Sequence, residues 1–228
     1  MNESVMPNNS QDSAEVLISP SPSSFPSQSR PLQLGIMASG DGTNFEAIAK
    51  AISNGELNAK IQVVIHNNPN AKVKERAKQY DIPTVFVDHR QYEQRENFDH
   101  EIVAVLKSYA ADWVVMAGWM RIITRVMIDG YPQRIINIHP SLLPSFKGIK
   151  AVEQALAAEV KITGCTAHLV DLEVDSGKIL MQAAVPVLAD DTVETLHPRI
   201  QQQEHRIFPQ AIALAGASIN DDRFGRIG

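Results

Sequence analysis

Two polar side chains with complementary chemistry stand two residues apart in the middle of the chain. Asn137 and His139 flank Ile138 at the end of the apolar run RIINI. Alternation along a strand places both polar groups on one face and sends Ile138 toward the core. A histidine exchanges protons near neutral pH, and an asparagine amide donates to an oxygen that gains negative charge during acyl transfer. The pair indicates an acyl-transfer site, with a hydrogen-bonded strand-end pair as the alternative.

A glycine-rich loop is the second candidate site. It reads SGDGTN over residues 39–44 and separates a predicted strand from a predicted helix. Backbone N–H groups at a helix N-terminus bind anions, although a tight turn with a helix cap explains the loop equally well. Phe45 stands where a dinucleotide loop needs its third glycine, and the second strand ends in His66 rather than an acidic residue. We therefore predict that the loop binds a single phosphate.

Short apolar runs alternate with amphipathic stretches from Leu32 onward, which predicts an α/β fold with a mainly parallel central sheet flanked by helices. Predicted strands cover residues 32–37, 61–65, 84–87, 113–117, 134–138, 166–171 and 179–187. Predicted helices cover residues 44–52, 71–80, 98–109, 151–158 and 192–215. Ligands of such sheets collect at the carboxyl ends of the strands, where both candidate sites lie.

The composition fits one soluble domain of 228 residues, with 44% hydrophobic residues and a net charge of -5. This charge does not favour nucleic-acid binding, and no apolar run of about 20 residues predicts a membrane span. Residues 1–31 are rich in Ser and Pro and predict a disordered tail, with a transit peptide as the alternative, and residues 32–228 predict the catalytic domain. We expect a cytoplasmic monomer or homodimer without a disulfide, because Cys165 is the single cysteine.

Longer motifs carry a resemblance to a known family. The motifs are, along the chain, SGDGTN, MAGWMRIIT, NIHPSLLPSFKG, GCTAHLVDLEVDSGKILMQAAVPV and QQQEHRIFP. In their sequence and in their order they resemble the folate-dependent formyltransferases, particularly those acting on glycinamide ribonucleotide. The resemblance covers residues 32–215. It implies a Rossmann-like formyltransferase fold and the transfer of a formyl group from 10-formyltetrahydrofolate to the amine of glycinamide ribonucleotide, in purine biosynthesis.

The resemblance implies a catalytic group of Asn137, His139 and Asp175. Asn137 and protonated His139 would stabilise the oxyanion of a tetrahedral intermediate, while Asp175 would position His139 or a water and assist proton transfer. Without the resemblance, Asp175 reads as a turn residue. Two positions depart from the family pattern: Ser176 replaces the commoner glycine, and the histidines that often follow the equivalent of Gly148 are absent.

The resemblance also implies separate sites for two small-molecule substrates. Gly42, Thr43 and Asn44 would hold the ribonucleotide phosphate, and Glu204 would contact its ribose or glycinamide end; otherwise Glu204 reads as a solvent-facing helical residue. The folate site would comprise Arg90, Met120, Arg121, Ile122 and Asn137. Arg90 would pair with the glutamate tail, although an ordinary surface arginine is the alternative. His168 would support the catalytic loop, and no metal is expected because Cys165 and His168 lack a third ligand nearby.

Three other functions remain open from the sequence. A 10-formyltetrahydrofolate hydrolase and methionyl-tRNA formyltransferase would share the catalytic residues. The SGDGTN loop favours a phosphate-bearing acceptor over both, and the chain end at Gly228 leaves no space for a tRNA-binding domain. A nucleotide-binding module without catalysis would explain the loop but not the joint presence of Asn137, His139 and Asp175.

Overall fold

The apolar runs form one eight-stranded sheet in the computed structural model, which describes residues 17–21 and 30–218. Buried β-branched and other aliphatic side chains dominate the central strands, as expected for strands covered on both faces. The strands are β1 (Ile18–Ser19), β2 (Leu32–Ala38), β3 (Ala59–His66), β4 (Thr84–Phe86), β5 (Trp113–Met116), β6 (Ile135–His139), β7 (Ile162–Leu169) and β8 (Ile179–Pro186).

The strand order is β1-β8-β7-β6-β5-β2-β3-β4. The five neighbouring strands β4, β3, β2, β5 and β6 are parallel. Strands β7, β8 and β1 continue the sheet beyond β6 in antiparallel pairings. The carboxyl ends of β2, β3, β4, β5 and β6 therefore lie along one edge. Loops from these ends can present polar groups to a ligand without burying unpaired backbone.

Helices cover both faces of the sheet. They are α1 (Thr43–Ser53), α2 (Val73–Gln79), α3 (Arg95–Ser108), α4 (Arg125–Gly130), α5 (Ala151–Ala157) and α6 (Val193–Ser218), with a short 3-10 helix at His89–Gln91. One buried cluster joins the sheet to α1, α2, α5 and α6, while a second joins the opposite face to α3 and α4. The amphipathic patterns of the sequence thus resolve into two cores separated by the sheet.

The structure confirms the predicted α/β class and all the predicted strands and helices, with ends that shift by a few residues. It adds α4, whose six residues are too short to show a helical period, and the two-residue β1. β1 pairs antiparallel with β8, so the chain at residues 17–21 differs from the predicted disordered tail. Residues 1–16 and 22–29 of the predicted tail lie outside the described residues, as do residues 219–228.

Candidate active site

The predicted pair lies at the carboxyl end of β6, between β5 and β7. Asn137 is opposite His168 of β7, and His139 is opposite Thr166. Ile138 is 7% exposed and belongs to the core cluster, as the strand alternation predicts. His139 is also buried, at 5% exposed. The fold thus holds a largely desolvated imidazole beside an amide.

Both ring nitrogens of His139 face oxygen atoms. Nε2 lies 2.8 Å from the Phe146 carbonyl oxygen, and Nδ1 lies 3.3 Å from Asp175 Oδ2. A carbonyl oxygen only accepts hydrogen bonds, so Nε2 carries a hydrogen in this arrangement. Phe146 adopts a φ of 56°, an unusual value for a residue with a side chain, and this local backbone geometry accompanies the contact with His139. The ring can donate from both nitrogens when it is protonated.

Asp175 lies in the predicted turn between β7 and β8, with a φ of 50°. Its Oδ2 accepts a hydrogen bond of 2.8 Å from the Gly148 backbone amide, which joins this turn to the loop after β6. Ser176, where the family pattern favours glycine, donates from its hydroxyl to the Glu173 carbonyl oxygen at 2.7 Å. A Cβ at Gly177 would lie 1.8 Å from the Leu169 carbonyl oxygen, so this position requires glycine. The turn brings its carboxylate to His139.

His168 orients the amide of Asn137. Its Nδ1 lies 2.8 Å from the Leu169 carbonyl oxygen and therefore carries the hydrogen, which leaves Nε2 as an acceptor in the neutral ring. Asn137 Nδ2 lies 3.2 Å from that Nε2. Burial lowers the pKa of His168, while the Leu169 carbonyl and the charge of Asp175 offset part of the effect. A neutral His168 thus accepts one N–H of the Asn137 amide and leaves the other for a ligand.

The glycine-rich loop begins α1 and is supported from outside by α2. Gly42 precedes the helix with a φ of 75°, and no side chain caps the helix there. The Val73 amide donates to the Gly40 carbonyl oxygen at 3.2 Å, and Arg76 Nε donates to the Asp41 carbonyl oxygen at 2.7 Å. These two hydrogen bonds from α2 to carbonyl oxygens of the loop hold the loop in place. The loop leads into the N-terminus of the 11-residue helix α1, which is the positive end of the helix dipole.

Glu204 faces the glycine-rich loop from inside the protein. It is only 5% exposed, so the solvent-facing alternative is wrong. Its Oε2 accepts a 2.9 Å hydrogen bond from Asn44 Nδ2, and one turn earlier Gln201 donates to the Thr43 hydroxyl at 3.1 Å. Burial raises the pKa of the Glu204 carboxyl, and the hydrogen bond from Asn44 opposes this shift. Helix α6 thus contacts two of the predicted phosphate-site residues, Asn44 through the buried carboxylate of Glu204 and Thr43 through Gln201.

A cavity of about 390 Å³ opens at the carboxyl ends of β2 to β5. Its lining comprises Ser39, Asn67, Asn68, Pro69, His89, Arg90, Met120 and Arg121. It brings together three of the predicted folate-site residues, whereas Ile122 and Asn137 are outside its lining. Ser39 was predicted only as part of the phosphate loop, and Asn67, Asn68 and His89 were not predicted as ligand-site residues. Each of the four follows a predicted strand, so the position of ligand sites at strand ends could have indicated them.

The two arginines of this cavity differ in their partners. Arg90 binds Asp88 with both Nε and Nη2, at 2.7 and 2.8 Å, and its side chain is 61% exposed. The guanidinium of Arg121 lies 5.8 Å from the centre of the Phe98 ring, and no salt bridge to Arg121 occurs within residues 17–21 and 30–218. The charge of Arg90 is therefore offset by a carboxylate, while that of Arg121 is more available to an anion.

In the described part of the chain, no cluster of three or more His, Cys, Asp or Glu residues is arranged to hold a metal ion. Cys165 is buried, and burial is the main cause that raises the pKa of its thiol. No helix among residues 17–21 and 30–218 has both the length and the apolar character needed to cross a membrane.

Comparisons with known proteins show which family the sequence belongs to. The sequence pattern of the family described as formyl transferase matches residues 33–212. Phosphoribosylglycinamide formyltransferase of Bacillus subtilis is 39% identical over 180 residues, which cover 79% of this chain and 92% of that protein. The trifunctional purine biosynthetic protein adenosine-3 of Gallus gallus is 40% identical over 201 residues. These cover 88% of this chain but only 20% of that longer relative.

Solved structures show the same fold. Glycinamide ribonucleotide transformylase 1 from Symbiobacterium toebii superposes with a TM-score of 0.82 at 42% identity, covering 84% of this chain and 90% of that one. Phosphoribosylglycinamide formyltransferase from Bacillus halodurans superposes with a TM-score of 0.79 at 41% identity, covering 85% and 100% of the two chains. By sequence and by fold, the chain belongs to the formyl transferase family.

Proposed function

We propose that this protein transfers the formyl group of 10-formyltetrahydrofolate to the amine of glycinamide ribonucleotide, in purine biosynthesis. The observation that carries the proposal is the contact of His139 with Asp175, at 3.3 Å, beside an Asn137 amide oriented by His168. Relatives named phosphoribosylglycinamide formyltransferase and glycinamide ribonucleotide transformylase support glycinamide ribonucleotide as the formyl acceptor. Both substrates are small molecules, and their sites are formed by different loops at the same edge of the sheet.

In the proposed reaction, the amine nitrogen attacks the formyl carbon and the carbonyl oxygen becomes an oxyanion. The free N–H of Asn137 donates to this oxygen, and the positive charge of protonated His139 stabilises it, because fixed donors and charges in a desolvated site favour developing negative charge. The bond from the formyl carbon to the folate nitrogen then breaks. The amine loses one proton and the folate nitrogen gains one, and His139 and Asp175 carry out this transfer directly or through a water. No covalent bond to the enzyme forms.

The ribonucleotide site uses Gly42, Thr43, Asn44 and Glu204. The N–H groups at the start of α1 receive the phosphate, and the buried carboxylate of Glu204 accepts hydrogen bonds from the ribose or the glycinamide. The 2.9 Å hydrogen bond from Asn44 to Glu204 supports this assignment, because it holds a phosphate-site residue and the carboxylate next to each other in one site.

Gly42→Ala tests the phosphate loop. A Cβ at Gly42 would lie 2.6 Å from a side-chain atom of Val73 and 2.9 Å from its Cα, and φ is 75°, so the loop has to shift. We expect the KM for the ribonucleotide to rise at least about tenfold, with the KM for the folate unchanged. The matched control is Gly55→Ala, which has the same φ of 75° but no atom within 4 Å of the added methyl group. Equal effects of the two variants would contradict the assignment.

The folate site uses Arg90, Met120, Arg121 and Ile122, with Asn137 at its inner end. Met120 and Ile122 are 80% and 57% exposed, so their side chains can cover the apolar parts of the folate. Arg121 is the better candidate for the glutamate carboxylate, because Asp88 already binds Arg90. Arg90 then forms part of the cavity wall and adds less to the positive potential of the cavity than Arg121 does.

His168→Phe tests the support of Asn137. The phenyl ring fills the space of the imidazole but cannot accept a hydrogen bond from the Asn137 amide. We therefore expect kcat to fall about tenfold, with small changes in both KM values. A second readout is the pH dependence of stability. The pKa of His168 is lower in the folded protein than in the unfolded chain. Its contribution to folding stability is therefore fully present above the unfolded pKa of about 6.5 and is lost as the pH falls through the folded value. The melting temperature of the variant should therefore decrease less between pH 7 and 5. His100→Phe, at an exposed position of α3, is the control.

The choice of acceptor separates this proposal from its two closest alternatives. Purified protein is incubated with 10-formyltetrahydrofolate and either glycinamide ribonucleotide, initiator methionyl-tRNA or buffer alone, and deformylated folate is measured. Turnover that requires the ribonucleotide supports the proposal. Equal turnover in buffer alone would identify a hydrolase, and turnover only with the tRNA would identify a different transferase.

A further inference from the structure

Asp99 is a buried carboxylate that the proposed mechanism does not use. It lies in α3, is 2% exposed, and stands next to Phe98 in the buried cluster between α3 and the sheet. Burying a carboxylate is costly unless hydrogen bonds compensate the lost hydration. Asp99 Oδ2 accepts a short hydrogen bond of 2.6 Å from the Thr124 backbone amide. Burial raises the pKa of the Asp99 carboxyl, and hydrogen bonds from Thr124 offset part of the rise.

The hydrogen bond from Thr124 fixes one end of a loop that lines the folate cavity. This donor loop, residues 117–124, connects β5 to α4 and carries Met120 and Arg121. Ser39 fixes its other end: the Ser39 amide donates to the Gly118 carbonyl oxygen at 3.0 Å, and the Met120 amide donates to Ser39 Oγ at 2.9 Å. The donor loop is thus held by a side chain near each end, one from the phosphate loop and one from α3.

The middle of the donor loop also depends on α3. The guanidinium of Arg121 lies over the ring of Phe98, the residue that precedes Asp99, at 5.8 Å from the ring centre. The positive charge of Arg121 also lowers the pKa of Asp99, against the effect of burial. One turn of α3 therefore supports both the backbone of the loop and its available cation.

We propose that Asp99 is a positioning residue for the folate site, acting through the Thr124 amide to hold Met120 and Arg121 toward the cavity before the ligand binds. The identity of that ligand as a formyl-folate rests on the proposed function. A loop that is already ordered loses less conformational entropy on binding, so its fixation increases affinity for the folate. The ribonucleotide site, which lies on α1 and α6, does not depend on Asp99.

Asp99→Leu and Asp99→Asn separate positioning from simple support of the fold. Leucine fills the buried space with an apolar side chain, a change that is often tolerated at buried ionic positions, but it cannot accept from Thr124. Asparagine keeps an acceptor oxygen. For the leucine variant we expect the KM for 10-formyltetrahydrofolate and the Kd for tetrahydrofolate to rise about tenfold, with the KM for the ribonucleotide and kcat within about twofold of wild type. The asparagine variant should regain most of the affinity.

Ser39→Ala gives an independent measurement at the other end of the donor loop, and should also raise the Kd for tetrahydrofolate. Glu101→Leu, at an exposed position of the same helix, is the matched control and should leave all these constants unchanged. A folded Asp99→Leu protein with unchanged folate constants would overturn the proposal. So would an equal loss in both KM values and kcat, because that result indicates a general structural role. Wild-type protein that neither binds tetrahydrofolate nor transfers formyl groups would instead contradict the proposed function.

Discussion

His139→Ala is expected to lower kcat for formyl transfer by about 10³-fold, with both KM values within a few-fold of wild type. Proton transfer and oxyanion stabilisation by a positioned histidine typically contribute 10²- to 10⁴-fold in rate. The Phe146 carbonyl oxygen at 2.8 Å and Asp175 at 3.3 Å hold the His139 ring in place, and alanine offers no group that can transfer a proton or carry a positive charge there. Initial rates over a range of both substrate concentrations give the three constants.

The control for this experiment is His100→Ala, which removes an exposed histidine from α3. It should retain wild-type kinetics. A His139→Ala protein that retains more than about a tenth of the wild-type kcat would show that the imidazole takes no part in the chemical step. A large rise in one KM with unchanged kcat would assign His139 to binding instead.

Glu204→Gln is expected to raise the KM for glycinamide ribonucleotide by about 10²-fold while leaving the KM for the folate unchanged. The carboxylate provides only acceptors, whereas the glutamine amide presents donors in their place at one position, so donor groups of the ribonucleotide lose a charged partner. The hydrogen bond from Asn44 can persist to the remaining carbonyl oxygen, so the phosphate loop keeps its position. Isothermal titration with the ribonucleotide measures the loss directly.

Glu204→Gln should weaken binding of the ribonucleotide but increase the stability of the folded protein near neutral pH. Burial raises the pKa of Glu204 in the folded protein, because it disfavours the charged carboxylate. The contribution of Glu204 to stability is therefore fully present below the unfolded pKa of about 4.3 and is lost as the pH rises through the folded pKa. At pH 7.5 the glutamine variant should therefore melt at a higher temperature than wild type, with the difference decreasing toward pH 4. A lower melting temperature at pH 7.5 would show that the ionised carboxylate stabilises the folded protein.

The strand that carries Asn137 and His139 could be predicted because its signal is local. The period of two places Asn137 and His139 on one face of β6 with Ile138 in the core, and the structure confirms this arrangement. The contact between His139 and Asp175 could not be predicted from spacing, because it joins the last residue of β6 to a residue in the turn after β7. The resemblance to the family supplied Asp175, whereas the sequence pattern alone predicts only a turn there.

Glu204 and Asp99 illustrate the limit of helical patterns. Each is a carboxylate on an amphipathic helix, where the ordinary expectation is exposure to solvent. Each is instead buried and accepts a hydrogen bond from a distant loop, from Asn44 in one case and from Thr124 in the other. These partners are 160 and 25 positions away in the chain, beyond the reach of any local period. The burial of both acids follows from packing between elements.

Direct transfer to the ribonucleotide can be followed by nuclear magnetic resonance, with ¹³C-formyl-tetrahydrofolate as the donor and samples with and without glycinamide ribonucleotide. We expect the label to appear on the ribonucleotide nitrogen, in an amount equal to the tetrahydrofolate produced, and the folate to stay formylated when the ribonucleotide is absent. Label that accumulates as free formate at the same rate in both samples would contradict direct transfer and identify water as the acceptor.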